Sequence, residues 1–379
     1  MIEAAAPNVI ERQSFERSAI GADPRVPTDV RRHAVTIALV HTRRPRYSGS
    51  NPRHFHEKYK ELDPERYADD VQKVLASGKT PAGTHRPIMV AEILECLRPA
   101  PGDVVVDCTL GGGGHARAIL ERIQPSGRLI GIDADPIELA RTEASLRAAP
   151  FGVEMFTIHN MNFAGLPKAL AAEGRTQANV IMADLGVSSM QLDDPRRGFS
   201  YKVPGPLDMR MNPARGEPAW QLIERLSEQK LAAILTENAD EPQAALIARI
   251  LKHTPVDTTH AAERLVRTGL SAAMPAVGKS EVTMSVRRTF QAIRIAVNDE
   301  LGALDALLRC LPECLASGGR VAVLTFHSGE DRRVKKAFQQ GYRDGAYAAI
   351  ARDVVRSTKE ETFSNRRAAA AKLRWAVRA

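Results

Sequence analysis

Four consecutive glycines, Gly111 to Gly114, stand between a run of β-branched residues ending in an acid and a segment of helical spacing. The stretch reads Val104-Val105-Val106-Asp107-Cys108-Thr109-Leu110, the glycines, then His115-Ala116-Arg117-Ala118-Ile119-Leu120. This pattern predicts a strand, a tight loop and a helix. Glycines allow positive φ and let a ligand approach main-chain N–H groups with no Cβ in the way. A second predicted strand, Arg128 to Asp133, also ends in an acid. Ligands of open α/β sheets sit outside the carboxyl ends of the strands, so the loop and Asp133 are expected to face one pocket. An acid at that second strand end suits a ribose hydroxyl pair. The dinucleotide fingerprint G-x-G-x-x-G is not met, because the position of its third glycine is Ala116. The expectation is an adenosine-type cofactor.

Strand and helix patterns keep alternating. Ile88 to Leu97 has an amphipathic stripe, Asp135-Pro136 opens a helix as N-cap and first turn, and Ile137 to Leu146 forms its body. Phe151 to Ile158 reads as a third strand leading to His159–Phe163, and Asn179 to Asp184 as a fourth. Such alternation predicts a doubly wound, mostly parallel sheet. It stops after Asp184. Gly186 to Met211 is loop-like, followed by helical segments Pro218–Thr236, Glu241–His253 and Thr259–Leu270 and a basic loop Gly278–Arg288. A structureless loop of that size is improbable, so 193–288 is predicted to be an inserted helical subdomain between the two parts of the sheet domain, 85–192 and 289–379. The α/β rhythm resumes with a helix Phe290–Leu315, a strand Arg320–Phe326 and a helix opened by His327–Asp331. Residues 341–370 read as irregular and basic, and Lys372 to Arg378 as a half-exposed antiparallel edge strand.

The 379 residues carry a formal charge of +8 with a pI near 9.4, which suits a polyanionic partner. The same balance occurs in basic proteins with no such partner. Residues 1–84 form a basic extension: within 31–60 the sequence holds Arg31, Arg32, Arg43, Arg44, Arg46, Arg53, Lys58 and Lys60 against Glu57 alone. That arm is read either as a phosphate contact or as a solvated tail, with a short helical hairpin over 55–76. No run approaches the roughly 18 apolar residues of a membrane span, and the first residues, without a basic stretch followed by an apolar one, are not expected to act as a secretory signal. Cys96, Cys108, Cys310 and Cys314 form no C-x-x-C pair and are expected to be buried thiols in a reducing compartment. A soluble, cytoplasmic protein is expected.

Asp184 is the leading candidate for chemistry. It ends the fourth strand beside the predicted pocket, where a carboxylate can accept a hydrogen bond from an exocyclic amine and orient its lone pair. Gln191 is close enough in sequence to close over a cofactor. Asp208 and Arg210 form either a substrate-facing wall or an internal pair that fixes their loop. His327, at the end of another predicted core strand, is either a general base or a structural residue of the turn. No spacing of His, Cys, Asp and Glu suggests a metal.

Several separated motifs resemble the RsmH (MraW) family of S-adenosylmethionine-dependent methyltransferases. They are His85 to Met89, Asp107 to His115, Asp184 to Asp194, Arg197 to Ser200, Gly205 to Met211, Arg288 to Ile295 and Phe326-His327-Ser328. The resemblance implies a class I (Rossmann-like) methyltransferase domain with a helical insertion. It also implies methylation of a cytidine N4 in small-subunit ribosomal RNA, within an assembled or nearly assembled subunit. By motif, it places Gly113, Gly114, His115, Asp133, Phe163, Asp184 and Gln191 at S-adenosylmethionine. The chain departs from the family at Ala239-Asp240-Glu241, at Gly329, at Asn365 to Ala370 and in its N-terminal extension. These departures leave three rivals in view: a paralogue acting on another RNA base, one acting on a protein, and a non-catalytic ribosome-assembly factor that keeps the cofactor pocket.

Overall fold

In the computed structural model, residues 87–379 are described. The basic arm and the hairpin expected at 55–76 lie outside them. Val104 and Val106 point to one side of strand β1 (Val104–Asp107) and Val105 to the other, and all three are buried. A strand apolar on both faces must be covered on both faces. It lies between β2 and β4, inside a seven-stranded sheet of order β3-β2-β1-β4-β5-β7-β6. Strands β2 (Arg128–Asp133), β3 (Phe156–Asn160), β4 (Ala178–Asp184) and β5 (Leu315–Thr325) run parallel to β1. Strands β6 (Tyr347–Ile350) and β7 (Lys372–Arg378) are antiparallel to their neighbours.

One face packs on helices α1 (Val90–Leu97), α2 (Gly114–Ile123) and α3 (Pro136–Arg147), through Ile93, Leu97, Ile119, Ile123 and Leu146. The other packs on α4 (Leu166–Ala172), α11 (Glu300–Cys314) and α12 (Ser328–Arg343), through Leu166, Leu307, Leu311, Val334 and Phe338. Between β4 and β5 the chain leaves the sheet. It forms the short α5 (Ser189–Asp193), then α6 (Ala219–Arg225), α7 (Glu228–Ala239), α8 (Ala244–His253), α9 (Thr259–Ala273) and α10 (Lys279–Asn298). Phe199, Leu207, Met209, Leu231, Leu235, Ile247, Val266, Val286, Phe290 and Ile293 give these helices a core of their own.

Several boundaries differ from the sequence reading, each for a local reason. Gly278–Arg288 is not a loop but the first half of α10. Val282, Val286, Phe290 and Ile293 fall on one buried stripe, while the basic side chains that suggested a loop lie off it. The helical body thus continues into a helix whose far end reaches the sheet domain. The predicted helix Phe290–Leu315 is two, broken at Asp299, which holds φ 47° at the junction of α10 and α11. The predicted helix Pro218–Thr236 is also two, because Ser227 caps α7 by accepting from Lys230 N. Residues 153–155 form a 3₁₀ turn before β3.

The end of the chain differs most. Strand β7 is not an edge: β6 pairs with its outer side, Tyr347 opposite Arg378 and Ile350 opposite Ala376. Within this strand, read as half-exposed, Arg374 is only 7% exposed, with its Nε 2.7 Å from Asp331 Oδ1. Within 341–370, read as irregular, lie β6, helix α13 (Lys359–Ser364) and a 3₁₀ turn at Arg366–Ala370. Cys108 and Cys314 are buried, but Cys96 and Cys310 only partly so. Among the described residues no helix is long and apolar enough to cross a membrane.

Leu235 is fully buried in the helical core. Leu235→Ala is expected to cost about 2–5 kcal/mol of stability. Urea unfolding checks this, and a loss under about 1 kcal/mol would mean that the helices are not packed there.

Candidate active site

The carboxyl ends of β1, β2, β4 and β5 open onto one cleft of about 620 Å³. That volume falls in the range of small-molecule sites, roughly 300–1,000 Å³. Its floor is the glycine turn. Cys108 N–H donates to Met182 O and Leu110 N–H to Ile132 O, which continues the sheet bonding past the end of β1. Gly111 N–H then donates to Asp133 Oδ2 at 2.7 Å, and Thr142 Oγ1 donates to Gly111 O. Gly113 has φ 73°, and a Cβ there would sit 2.7 Å from Thr142 Cγ2. A Cβ on Gly114 would meet the Pro87 ring at 2.7 Å. Both positions therefore need glycine.

His115 follows in the first turn of α2 and is buried. Its Nε2 lies 2.9 Å from Ile88 O, and a carbonyl can only accept, so Nε2 carries the hydrogen. Burial holds the ring below the ordinary histidine range, the bond to Ile88 offsetting only part of that. The neutral ring thus turns a bare Nδ1 toward Asp184 Oδ2, 3.7 Å away, which is not an ion pair. Asp184 is pushed up to about 8, first by burial and then by the negative charges of Asp107 and Glu330. Its main-chain N–H donates to Thr109 Oγ1 at 2.6 Å, but Oδ1 is buried with no hydrogen-bond partner.

Other acids share this environment. Asp107 is raised to about 7 by burial and by Asp133, against the amide and hydroxyl of Thr109. Asp133 is raised to about 6 by burial, although the amides of Asp135, Gly111 and Ala134 oppose the shift. Glu138 is raised to about 7 by burial and by Asp135, and one of its oxygens has no partner. A buried group of acids with an unpartnered oxygen at its centre fits a ligand that brings positive charge and hydrogen-bond donors.

The structure brings Gly114, His115, Asp133, Phe163, Asp184, Gln191 and His327 to the cleft wall, with Gly113 just behind the turn. Phe163 is held in a 3₁₀ turn capped by Asn162, which accepts from Ala164 N at 2.9 Å. The amide of Gln191 is already committed. Its Oε1 accepts from Ser188 N at 2.9 Å and its Nε2 donates to Asp135 Oδ2 at 2.7 Å. Asp208 and Arg210 do not line the cleft; they form a bidentate pair at 2.7 and 2.8 Å. Of their two readings, the internal pair is what the structure contains.

His327 Nε2 is 3.1 Å from Glu330 Oε1 but angled away from a hydrogen bond. Burial pushes Glu330 up, yet His327, the Phe326 amide and Arg294 outweigh it and hold the carboxyl below its usual range. No group of three or more His, Cys, Asp or Glu among the described residues could hold a metal.

Three site residues escaped the sequence reading. Glu138 looked like an ordinary acid in the first turn of a helix. Glu330 was marked only by its place three residues after His327, the capping-box spacing. Arg197, 7% exposed, pairs with the fully buried Asp135 at 2.8 Å and could not be matched to it from sequence. Around the mouth the charge reverses: Lys202, Arg287, Arg366 and Arg367 line it.

A doubly wound sheet with this strand order and a glycine turn at β1, above a ribose-suited acid at β2, defines a class I methyltransferase dependent on S-adenosylmethionine. The model of the MraW methylase family matches residues 82–379, and the chain belongs to that family. It is 48% identical over 342 residues to "Ribosomal RNA small subunit methyltransferase H 2" of Alkaliphilus metalliredigens, covering 89% of this chain and 97% of that one. It is 45% identical over 345 residues to "Ribosomal RNA small subunit methyltransferase H 1" of Lachnoclostridium phytofermentans, covering 90% and 94%. Both matches cover more of the chain than 82–379, so part of the N-terminal extension is shared with these relatives. Among solved structures, Aeropyrum pernix fibrillarin with bound S-adenosyl-L-methionine matches at 11% identity and a TM-score of 0.35, over 76% and 74% of the two chains. That match is too weak to add to the assignment.

The sign of a pH effect follows from the acids. Each is neutral below its raised value and negative above it, and S-adenosylmethionine carries a net positive charge. Its affinity is therefore expected to rise as pH increases from about 6 to about 8, the span set by Asp133, Asp107, Glu138 and Asp184. Calorimetry across that range checks this. S-adenosylhomocysteine, which lacks the sulfonium charge, is expected to show a shallower rise, and equal slopes for the two would contradict the assignment.

Proposed function

We propose that the protein transfers a methyl group from S-adenosylmethionine to the exocyclic N4 amine of a cytidine in small-subunit ribosomal RNA. The reaction would take place in the cytoplasm, on an assembled or nearly assembled subunit. The relatives named above as ribosomal RNA small subunit methyltransferases support the RNA substrate. The observation that carries the chemistry is the buried, unpartnered Oδ1 of Asp184, an acceptor at the end of β4 that the fold itself leaves unused.

In this reading Gly113, Gly114 and His115 cradle the amino-acid end of the cofactor, Asp133 takes the ribose hydroxyls and Phe163 lies against the adenine. Gln191 acts by holding Asp135 and the Ser188 turn in place, since its own amide is occupied. The bound cofactor supplies an electrophilic methyl group on a sulfonium. Asp184 accepts a hydrogen bond from the incoming amine and aims its lone pair into the cleft, where orientation can lower the barrier by several kcal/mol. His327, beside Glu330 at the end of β5, faces the same space and is placed to take the amine proton after transfer. A cytidine reaches such a cleft only when its base is drawn out of its stack. Asp208 and Arg210 support the wall through their mutual pair rather than by touching the base.

Asp184→Ala is expected to lower methyl transfer about a hundredfold or more, with binding to small subunits retained. Nucleoside mass spectrometry of ribosomal RNA from a deletion strain, complemented with either form, checks both claims. Unchanged cytidine N4 methylation on deletion would reject the substrate, and full methylation by Asp184→Ala would reject the role of that residue.

A further inference from the structure

The arm between β6 and β7 carries a feature that methyl transfer does not use. Phe363, in α13, is 92% exposed, whereas the other exposed large apolar side chains (Ile137, Trp220, Met284 and Tyr342) lie between 37% and 52%. The helix that presents it is firmly attached. Thr358 caps it by accepting from Glu361 N at 3.1 Å, and Glu361 Oε1 accepts from Met89 N at 2.8 Å. Ala368 and Ala371, just beyond, are buried in the core of the sheet domain. The ring is thus held in solvent by an anchored support.

Its surroundings are cationic. Phe363 shares a shallow hollow with Lys359 and Arg366, and Arg366 also lines the mouth of the active-site cleft. Neither Lys359 nor Arg366 has a side-chain hydrogen bond or ion pair with any described residue. Arg367, the next residue, has a long ion pair with Asp193 at 3.9 Å. A solvent-held aromatic beside free cations, continuous with a cleft, is the combination that binds unpaired nucleotides. The ring stacks on a base whatever its identity, and the cations hold the phosphates on either side.

We infer that Phe363 is a stacking platform for an unpaired base neighbouring the target nucleotide, with Lys359 and Arg366 on the adjoining phosphates. This rests on the RNA substrate proposed above and adds where the strand runs: out of the cleft mouth, past Arg366 and over α13.

The test uses the full-length protein and a short single-stranded RNA carrying one 2-aminopurine, whose fluorescence is quenched when it stacks. Wild type is expected to bind and quench. Phe363→Ala should weaken binding about tenfold and lose the quench, while Phe363→Tyr and Phe363→Trp keep both. Affinity for S-adenosylhomocysteine, measured for each variant, reports that the fold is intact. Equal binding and quench by Phe363→Ala overturns the inference. So does a loss confined to intact small subunits and absent with RNA alone, which would assign Phe363 to a ribosomal protein. Methylation of small subunits is assayed in parallel. If wild type transfers no methyl group there yet quenches the probe through Phe363, the substrate assignment fails and the stacking role stands.

Discussion

Three carboxyl groups, on Asp107, Asp133 and Asp184, end neighbouring parallel strands and are shielded from water with no charged partner among the described residues. Burying a charge without a partner is costly, and groups so placed shift toward their neutral forms instead. A fold that accepts this at the ends of its central strands must relieve the cost locally. The glycine turn does part of this, bringing the Gly111 amide onto Asp133. Asp135 N–H adds a second bond to the same carboxylate at 2.8 Å. Asp184 receives no such relief on Oδ1. The remaining deficit is a standing attraction for a cation, located where the sheet topology brings the strand ends together.

The helical body must hold a fixed position over that cleft, and a second acid provides much of the attachment. Asp135 caps α3 through the amides of Ile137 and Glu138. It also accepts from Gln191 and pairs with Arg197. Arg197 in turn donates to the carbonyls of Arg210 and Met211. One buried carboxylate therefore joins the end of β2, the loop after β4 and the wall that leads into the helices. Removing Arg197 would leave Asp135 buried and short of its cation, so the wall and the cofactor floor are energetically coupled although they come from different parts of the chain.

Much of this was legible in the sequence where local chemistry decides. The strand-glycine-helix unit, the acids at strand ends and the break in alternation after Asp184 are written in short-range pattern. The misses arose where tertiary contact overrides that pattern. Lys372 to Arg378 alternates as an edge strand does, but Arg374 is drawn inward by Asp331 and β7 is covered by β6. Gly278–Arg288 has the composition of a loop, and only the stripe from Val282 through Ile293 marks it as helix. Asp208 and Arg210 were ambiguous because two residues that can bind a ligand can also bind each other. Glu138 and Glu330 could not be assigned to the site from sequence, since an acid in the first turn of a helix is ordinary and only packing made these two part of one cleft.

The charge of the molecule is arranged in two layers. The floor of the cleft is acidic while its mouth carries Lys202, Arg287, Arg366 and Arg367, in a chain of net charge +8. A polyanion approaching this surface is attracted by the mouth and repelled by the floor. Phosphates are therefore retained at the rim, and the part of a nucleotide that can descend is the uncharged base. On the proposed function, an exocyclic amine, a hydrogen-bond donor, is then the group on that base with most to gain from Asp184. On that proposal the same poorly solvated carboxylates would select, without reading any sequence, both the cationic cofactor and the orientation in which a nucleotide can enter.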